Sequence, residues 1–244
     1  MIYSVALIHD GLSILPHFLQ HYRDLGVDRI LLGAETRAYD EAHFIAKSFD
    51  VQVAPFRQKR FNDPGNQELE ELLLRLHGVE DDDYVLYLDC DEFQEYPAPL
   101  KAVVAEMDKR NIWAARGWFI DRLAPDGKFR PILPAPSLDR QFPVKCHATR
   151  NIVGGWDQKI MICRGRVRLK GGHHDTFNAM YDIEPILGAY RVHHYKWTEG
   201  VEDRMSYRGQ GSTSPIYHRE TESAVQIARQ RGGFDLNDPR LDIE

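Results

Sequence analysis

The sequence predicts an α/β protein: a mostly parallel sheet flanked by helices, followed by an irregular half of hairpins and loops. Three observations lead there. Short apolar runs such as Tyr3–Ile8 and Tyr84–Leu88 have the character of strands buried on both faces. Stripes of apolar residues at helical spacing alternate with those runs, an order that favours parallel strands joined by crossover helices. Beyond about residue 120, Pro125, Pro131, Pro134, Pro136 and Pro143 break the pattern.

Taken in order, Tyr3–Ile8 is the first strand. Leu15, Phe18, Leu19, Tyr22 and Leu25 then mark a helix that stops at Gly26. Arg29–Leu32 is a second strand, 38–48 a helix and Val51–Ala54 a third strand. Asp63 can cap the next helix, with Pro64 at its first position and Leu69, Leu72, Leu73 and Leu76 as its buried stripe. Tyr84–Leu88 is the fourth strand. A helix carrying Leu100, Val103, Val104 and Met107 follows, and Ile112–Phe119 returns as a strand. No further long helical stripe occurs until about 221–231. No internal repeat or low-complexity linker is present, so one domain is expected over 1–244, in two unequal halves, 1–119 and 120–244.

Composition narrows the function classes. The 244 residues are 43% hydrophobic and 28% charged, which excludes wholesale disorder. With 31 basic and 37 acidic residues the formal charge is −6, which argues against a general nucleic-acid binder. No apolar run reaches the ~20 residues that span a bilayer, so no transmembrane segment is expected. Met1–Ile8 lacks a basic flank and reads as a strand rather than a signal peptide. Cys90, Cys146 and Cys163 are odd in number and lack metal spacing, so a cytoplasmic protein without a disulfide framework is expected.

The segment Tyr84-Val85-Leu86-Tyr87-Leu88-Asp89-Cys90-Asp91-Glu92-Phe93 carries the chemistry. Ligands of parallel sheets bind beyond the carboxyl ends of the strands. If strand geometry continues, Asp89 and Asp91 share a face, roughly 7 Å apart at Cα. Two such carboxylates repel unless a proton or a cation lies between them, and a hard divalent ion, Mg²⁺ or Mn²⁺, suits oxygen ligands. Two histidine pairs, His173-His174 and His193-His194, offer an imidazole to complete the coordination. Alternation along Arg191–Tyr195 puts the last two on opposite faces, and His194 is favoured. Charge is uneven: residues 78–96 hold eight acids and no Lys or Arg, while 140–170 hold eight basic residues against Asp157.

Three stretches together resemble the family-2-like glycosyltransferases of the GT-A fold, which is Rossmann-like, and especially the subgroup related to family 92. They are Leu15-Pro16-His17-Phe18-Leu19-Gln20-His21-Tyr22-Arg23-Asp24-Leu25-Gly26-Val27-Asp28, Asp89-Cys90-Asp91-Glu92-Phe93 and His194-Tyr195-Lys196-Trp197. The resemblance implies transfer of a sugar from a UDP- or GDP-linked donor to a glycan or other hydroxyl acceptor, dependent on Mn²⁺ or Mg²⁺. It puts Asp91 on the metal, Asp89 on the metal or the ribose, and His194 as a further ligand. Leu7, Ile8 and His9 would line the nucleoside pocket. His9-Asp10 stands where the family has Asn-Glu, and Glu35 where it often has Asp after the second strand. The first half would bind the nucleotide-sugar and the second the acceptor.

The chemistry of that reaction singles out more residues. A departing nucleoside diphosphate needs positive charge, for which Lys159, Arg164 and Lys196 are candidates. Asn66 and Gln67 open the helix before the metal strand and could reach the donor. A general base would be Asp157, beside Gly154-Gly155-Trp156, or Asp175. The four tryptophans could stack on sugar rings, with core packing the default for Trp113 and Trp118. Tyr207–Ser214 could be a lid or a surface loop. The basic stretch hints at an anionic acceptor. A metal-dependent hydrolase using the histidine pairs, and a binding protein on a degenerate transferase scaffold, are the competing readings.

Overall fold

The computed structural model describes residues 1–58, 63–177, 190–211 and 215–244, with the backbone alone for Asp63 and Gln210. The chain divides into two compact units. The first comprises Met1–Arg57, Asp63–Trp118 and Gln158–Val192, and the second is built from Phe119–Asp157 and His193–Glu244. The first break falls where the sequence pattern changes. The first unit also reclaims Gln158–Val192, a segment whose return is invisible in local periodicity because it is made by pairing between distant strands.

The first unit is α/β. Its elements are β1 (Ile2–Ile8), α1 (Leu15–Leu25), β2 (Arg29–Glu35), α2 (Tyr39–Lys47), β3 (Val53–Phe56), α3 (Asp63–Leu76), β4 (Tyr84–Leu88), β5 (Glu92–Glu95) and α4 (Leu100–Arg110). β6 (Ala114–Leu123) starts in this unit and ends in the other. After α5 (Leu138–Gln141), β7 (Val144–Cys146) and α6 (Ala148–Asn151), the chain returns as β8 (Gln158–Arg164) and β9 (Arg191–His194). The sheet order is β3-β2-β1-β4-β8-β6-β9-β5, with β7 paired to β6. β1, β2, β3 and β4 are parallel, as the alternating pattern predicts. β8 joins antiparallel to β4, and β6 antiparallel to β8.

Local chemistry explains these elements. β1 and β4 are buried at every position. α1 buries Leu15, Phe18, Leu19 and Tyr22, and Gly26 ends it at φ 91°, a conformation that costs glycine nothing. α4 buries Leu100, Val103 and Met107 as expected and ends on Asn111 in the left-handed region. α3 departs from expectation: it buries Glu70, Leu73 and Leu74, while Leu72 and Leu76 are exposed. The helix turns its Glu70 edge inward because that carboxylate has a buried partner, described below.

The second unit contains β7, α5, α6 and two helices, α7 (Val201–Gly211) and α8 (Pro215–Arg231). Its core gathers Leu123, Cys146, Val153, Trp197, Met205, Ala224 and Phe234. The expected lid or loop at Tyr207–Ser214 is helical through Gly211, and Ser212–Ser214 lie outside the described residues. Gly209 belongs there for packing: a Cβ on it would meet Thr221 Cγ2 of α8 at 2.8 Å. No helix among the described residues is long and apolar enough to cross a membrane.

Candidate functional site

β1, β2 and β4 run the same way, so their carboxyl ends share one edge of the first unit. That edge collects ligands in parallel sheets. His9 follows β1, Glu35 ends β2 and Asp89 follows β4.

Asp89 and Asp91 do not continue a strand. The Glu92 N–H donates to the Asp89 carbonyl at 3.0 Å, closing a tight turn with Cys90 and Asp91 at its corners. The Asp89 N–H donates back to Glu92 Oε2 at 3.3 Å. The same-face expectation is therefore corrected: the two carboxylates sit on a turn, where the period of two no longer applies.

Lys159 is also corrected. It was expected at a donor phosphate, but β8 carries it into the interior, where its side chain is 0% exposed. Its Nζ lies 2.9 Å from Asp89 Oδ2 and 2.5 Å from Glu92 Oε2. The Asp89 side chain is 60% exposed and that of Glu92 3%. Burial pushes the Glu92 carboxyl well up, against the pull of the Lys159 ammonium. Against desolvation, the same ammonium holds the Asp89 carboxyl well below the usual range, with His173 adding to the effect. Desolvation opposes the charge on Lys159, but the two carboxyl groups outweigh it and raise that amine above its ordinary value. Lys159 immediately precedes the apolar run Ile160–Cys163, and a lone charge beside such a run was the signal available in the sequence.

Beside this turn, His9 Nδ1 lies 3.5 Å from Glu35 Oε2, and Arg37 reaches the same oxygen at 3.0 Å. Burial lowers the His9 imidazole's pKa, while Glu35 raises it. The His9 ring meets Phe56 edge-on at 5.3 Å. Leu7 and Ile8, expected to line a pocket, are buried in β1, and a Cβ on Gly33 would lie 2.7 Å from Leu7 Cδ2. Gln67 donates to Glu71 Oε1 at 3.0 Å, an i to i+4 bond along α3.

The four histidines of the two pairs are each engaged by protein groups. His173, at φ 59° and 5% exposed, places Nε2 2.8 Å from Glu70 Oε2, which accounts for the inward edge of α3. His174 Nδ1 donates to the Gln158 carbonyl at 2.5 Å, and burial pushes its pKa down to about 3. In the second unit, His193 Nδ1 lies 3.3 Å from Arg122 and His194 Nδ1 3.2 Å from Asp121. Asp121 also accepts from the Thr149 N–H and hydroxyl at 2.6 Å each and from Trp197 Nε1 at 2.8 Å. Neither Asp121 nor the Glu70 partnership was foreseen. Among the described residues, no group of three or more His, Cys, Asp or Glu residues is arranged to hold a metal ion. Asp89 and Asp91 supply hard oxygen donors of the kind Mn²⁺ or Mg²⁺ takes.

The remaining candidates are dispersed. Lys196, expected at a phosphate, is buried in the second unit and paired with Glu220, which Arg208 also reaches at 2.7 Å. Asp157 faces Arg150 at 3.4 Å. Asp175 is held by Lys170 at 2.8 Å and by Arg116 at 3.5 Å, and the Lys170 bond lowers its pKa. The basic stretch spreads over separate carboxylates: Arg164 on Asp108 at 2.8 Å, Arg166 on Asp82 and Arg168 on Glu71 at 3.4 Å. A cavity of about 260 Å³ lies in the second unit, lined by Ser223, Gln226, Gln230, Phe234 and Asp238. It holds none of the residues expected to do chemistry.

No family model matches the chain, and no curated protein matches it. Solved structures similar to it include a mannose-6-phosphate isomerase from Helicobacter pylori, at 15% identity and TM-score 0.33, over 57% of this chain and 62% of that one. A 4-diphosphocytidyl-2C-methyl-D-erythritol synthase is 14% identical with TM-score 0.37, over 67% and 74%. The 4-diphosphocytidyl-2C-methyl-D-erythritol synthase of Anaerococcus prevotii is 10% identical with TM-score 0.38, over 94% and 99%. Likenesses this distant carry no functional argument.

Proposed function

We propose that this protein transfers a sugar from a UDP- or GDP-linked donor to a glycan or other hydroxyl acceptor, using Mn²⁺ or Mg²⁺. The observation that carries the reading is the acidic turn Asp89–Glu92 at the carboxyl end of a buried parallel strand. One Asp89 oxygen is fixed by Lys159 and most of its side chain remains open to solvent. Asp91 and the outer oxygen of Asp89 would hold the ion. When bound, that ion supplies Lewis-acid stabilisation of the departing diphosphate. Lys159 and Glu92 orient the turn, and their burial keeps it rigid. His9 and Glu35, at the ends of the neighbouring strands, would contact the nucleoside. The resemblance to family-2-like glycosyltransferases supports the same reading.

Isothermal titration with UDP- and GDP-sugars in Mn²⁺ tests it. The wild type is expected to bind one of them, and Asp91→Ala to lose at least tenfold in affinity with its fold unchanged. Equal affinity in the variant would overturn the assignment of the turn.

A further inference from the structure

We infer that the β6–β8 surface around Trp118 is a binding site for a pyranose ring of a glycan; as an acceptor subsite it rests on the reading above. Trp118 is 45% exposed although β6 lies inside the sheet, between β8 and β9. Its backbone is held on both sides: it pairs with Gln158 in register, and its N–H donates to the Tyr190 carbonyl at 3.1 Å. The indole is thus presented by a rigid strand. An exposed indole on a paired strand is not required by the core, which contradicts the core role expected for this residue.

The neighbours decide the ligand. Arg116 is two residues earlier on the same strand face. Its guanidinium donates to Gln158 Oε1 at 3.4 Å and to the His174 carbonyl at 3.2 Å, and it meets Asp175 at 3.5 Å. Lys170 continues the row from Asp175 at 2.8 Å. Beside one aromatic face there is therefore a chain of amide, guanidinium, carboxylate and ammonium groups, half exposed and held by one another. The Arg116 Nε is buried without a hydrogen-bond partner, an unspent donor in the row. A protein partner would want further apolar surface around the tryptophan. A pyranose offers an apolar C–H face to the indole and equatorial hydroxyls that both donate and accept.

Saturation-transfer NMR with methyl glucopyranosides, galactopyranosides and mannopyranosides tests the site, with nucleotide binding measured on the same samples. One glycoside is expected to bind the wild type, Trp118→Ala to weaken it about tenfold, and Trp118→Phe to retain most of the affinity. Trp156→Ala, at the other exposed tryptophan, should leave it unchanged. Binding unaltered in Trp118→Ala, or no glycoside bound by the wild type, overturns the inference. A protein that binds glycosides at Trp118 but no nucleotide-sugar would overturn the transferase reading alone.

Discussion

Replacing Lys159 with methionine keeps the aliphatic stem and deletes the ammonium that faces Asp89 and Glu92. The two carboxyl groups then fare differently. The Asp89 side chain is 60% exposed and can be hydrated, whereas that of Glu92 is 3% exposed and cannot. Breaking a buried pair by removing one partner costs about 3–5 kcal/mol, and the exposure of Asp89 places this case near the lower end. Glu92 already has a carboxyl pushed well up by burial, and the lost ammonium was the group opposing that push. Its folded-state pKa therefore rises further. A group whose folded pKa is raised contributes stability below its unfolded value and loses it as pH climbs toward the folded one, at up to about 1.4 kcal/mol per pH unit. Urea denaturation at pH 5 and pH 8 reads this directly. The deficit of Lys159→Met should be larger at pH 8, and adding Glu92→Gln should recover part of it and flatten the pH dependence. A deficit below about 1 kcal/mol at pH 8, or the same at both pH values, would refute the reasoning.

Two further outcomes follow from the buried polar groups. Asp121→Ala leaves the Thr149 and Trp197 donors without an acceptor, and should cost about 3–5 kcal/mol by denaturant unfolding. Because its carboxyl is held below the usual range against desolvation, through the His194 hydrogen bond, its contribution is present above the unfolded value near 3.8 and lost as pH falls. His174, pushed down to about 3 by burial, should keep a neutral ring with the proton on Nδ1. Its contribution is then full above the unfolded value and falls away as pH drops toward 3. Nitrogen NMR showing His174 titrating near pH 6.5 would contradict its environment.

Much of the first unit was legible because local pattern and tertiary role agree there. Continuous apolar runs became parallel strands, and the α1 and α4 stripes became buried faces. Where the reading failed, a distant partner had intervened. Leu72 and Leu76 looked like core, but Glu70 turned inward to meet His173, more than a hundred residues away in sequence. Asp89 and Asp91 were placed on one face by extending strand alternation, which the Asp89–Glu92 turn ends. Lys159 and Lys196 were read as surface cations near phosphate, and each is buried on a carboxylate that periodicity cannot assign. α7 was missed because Gly209 and Gly211 mimic a loop, when one of them allows close approach to α8.

The discontinuous path of the first unit constrains how the protein can be dissected. A fragment stopping at residue 119 would keep both motif aspartates yet lack β8, the strand that brings Lys159 beneath them. Such a truncation would leave Glu92 facing the interior uncompensated and one edge of β4 unpaired, inviting self-association. The first unit can therefore be isolated intact only by joining residue 118 to residue 158 through a short artificial bridge, not by cutting the gene in two.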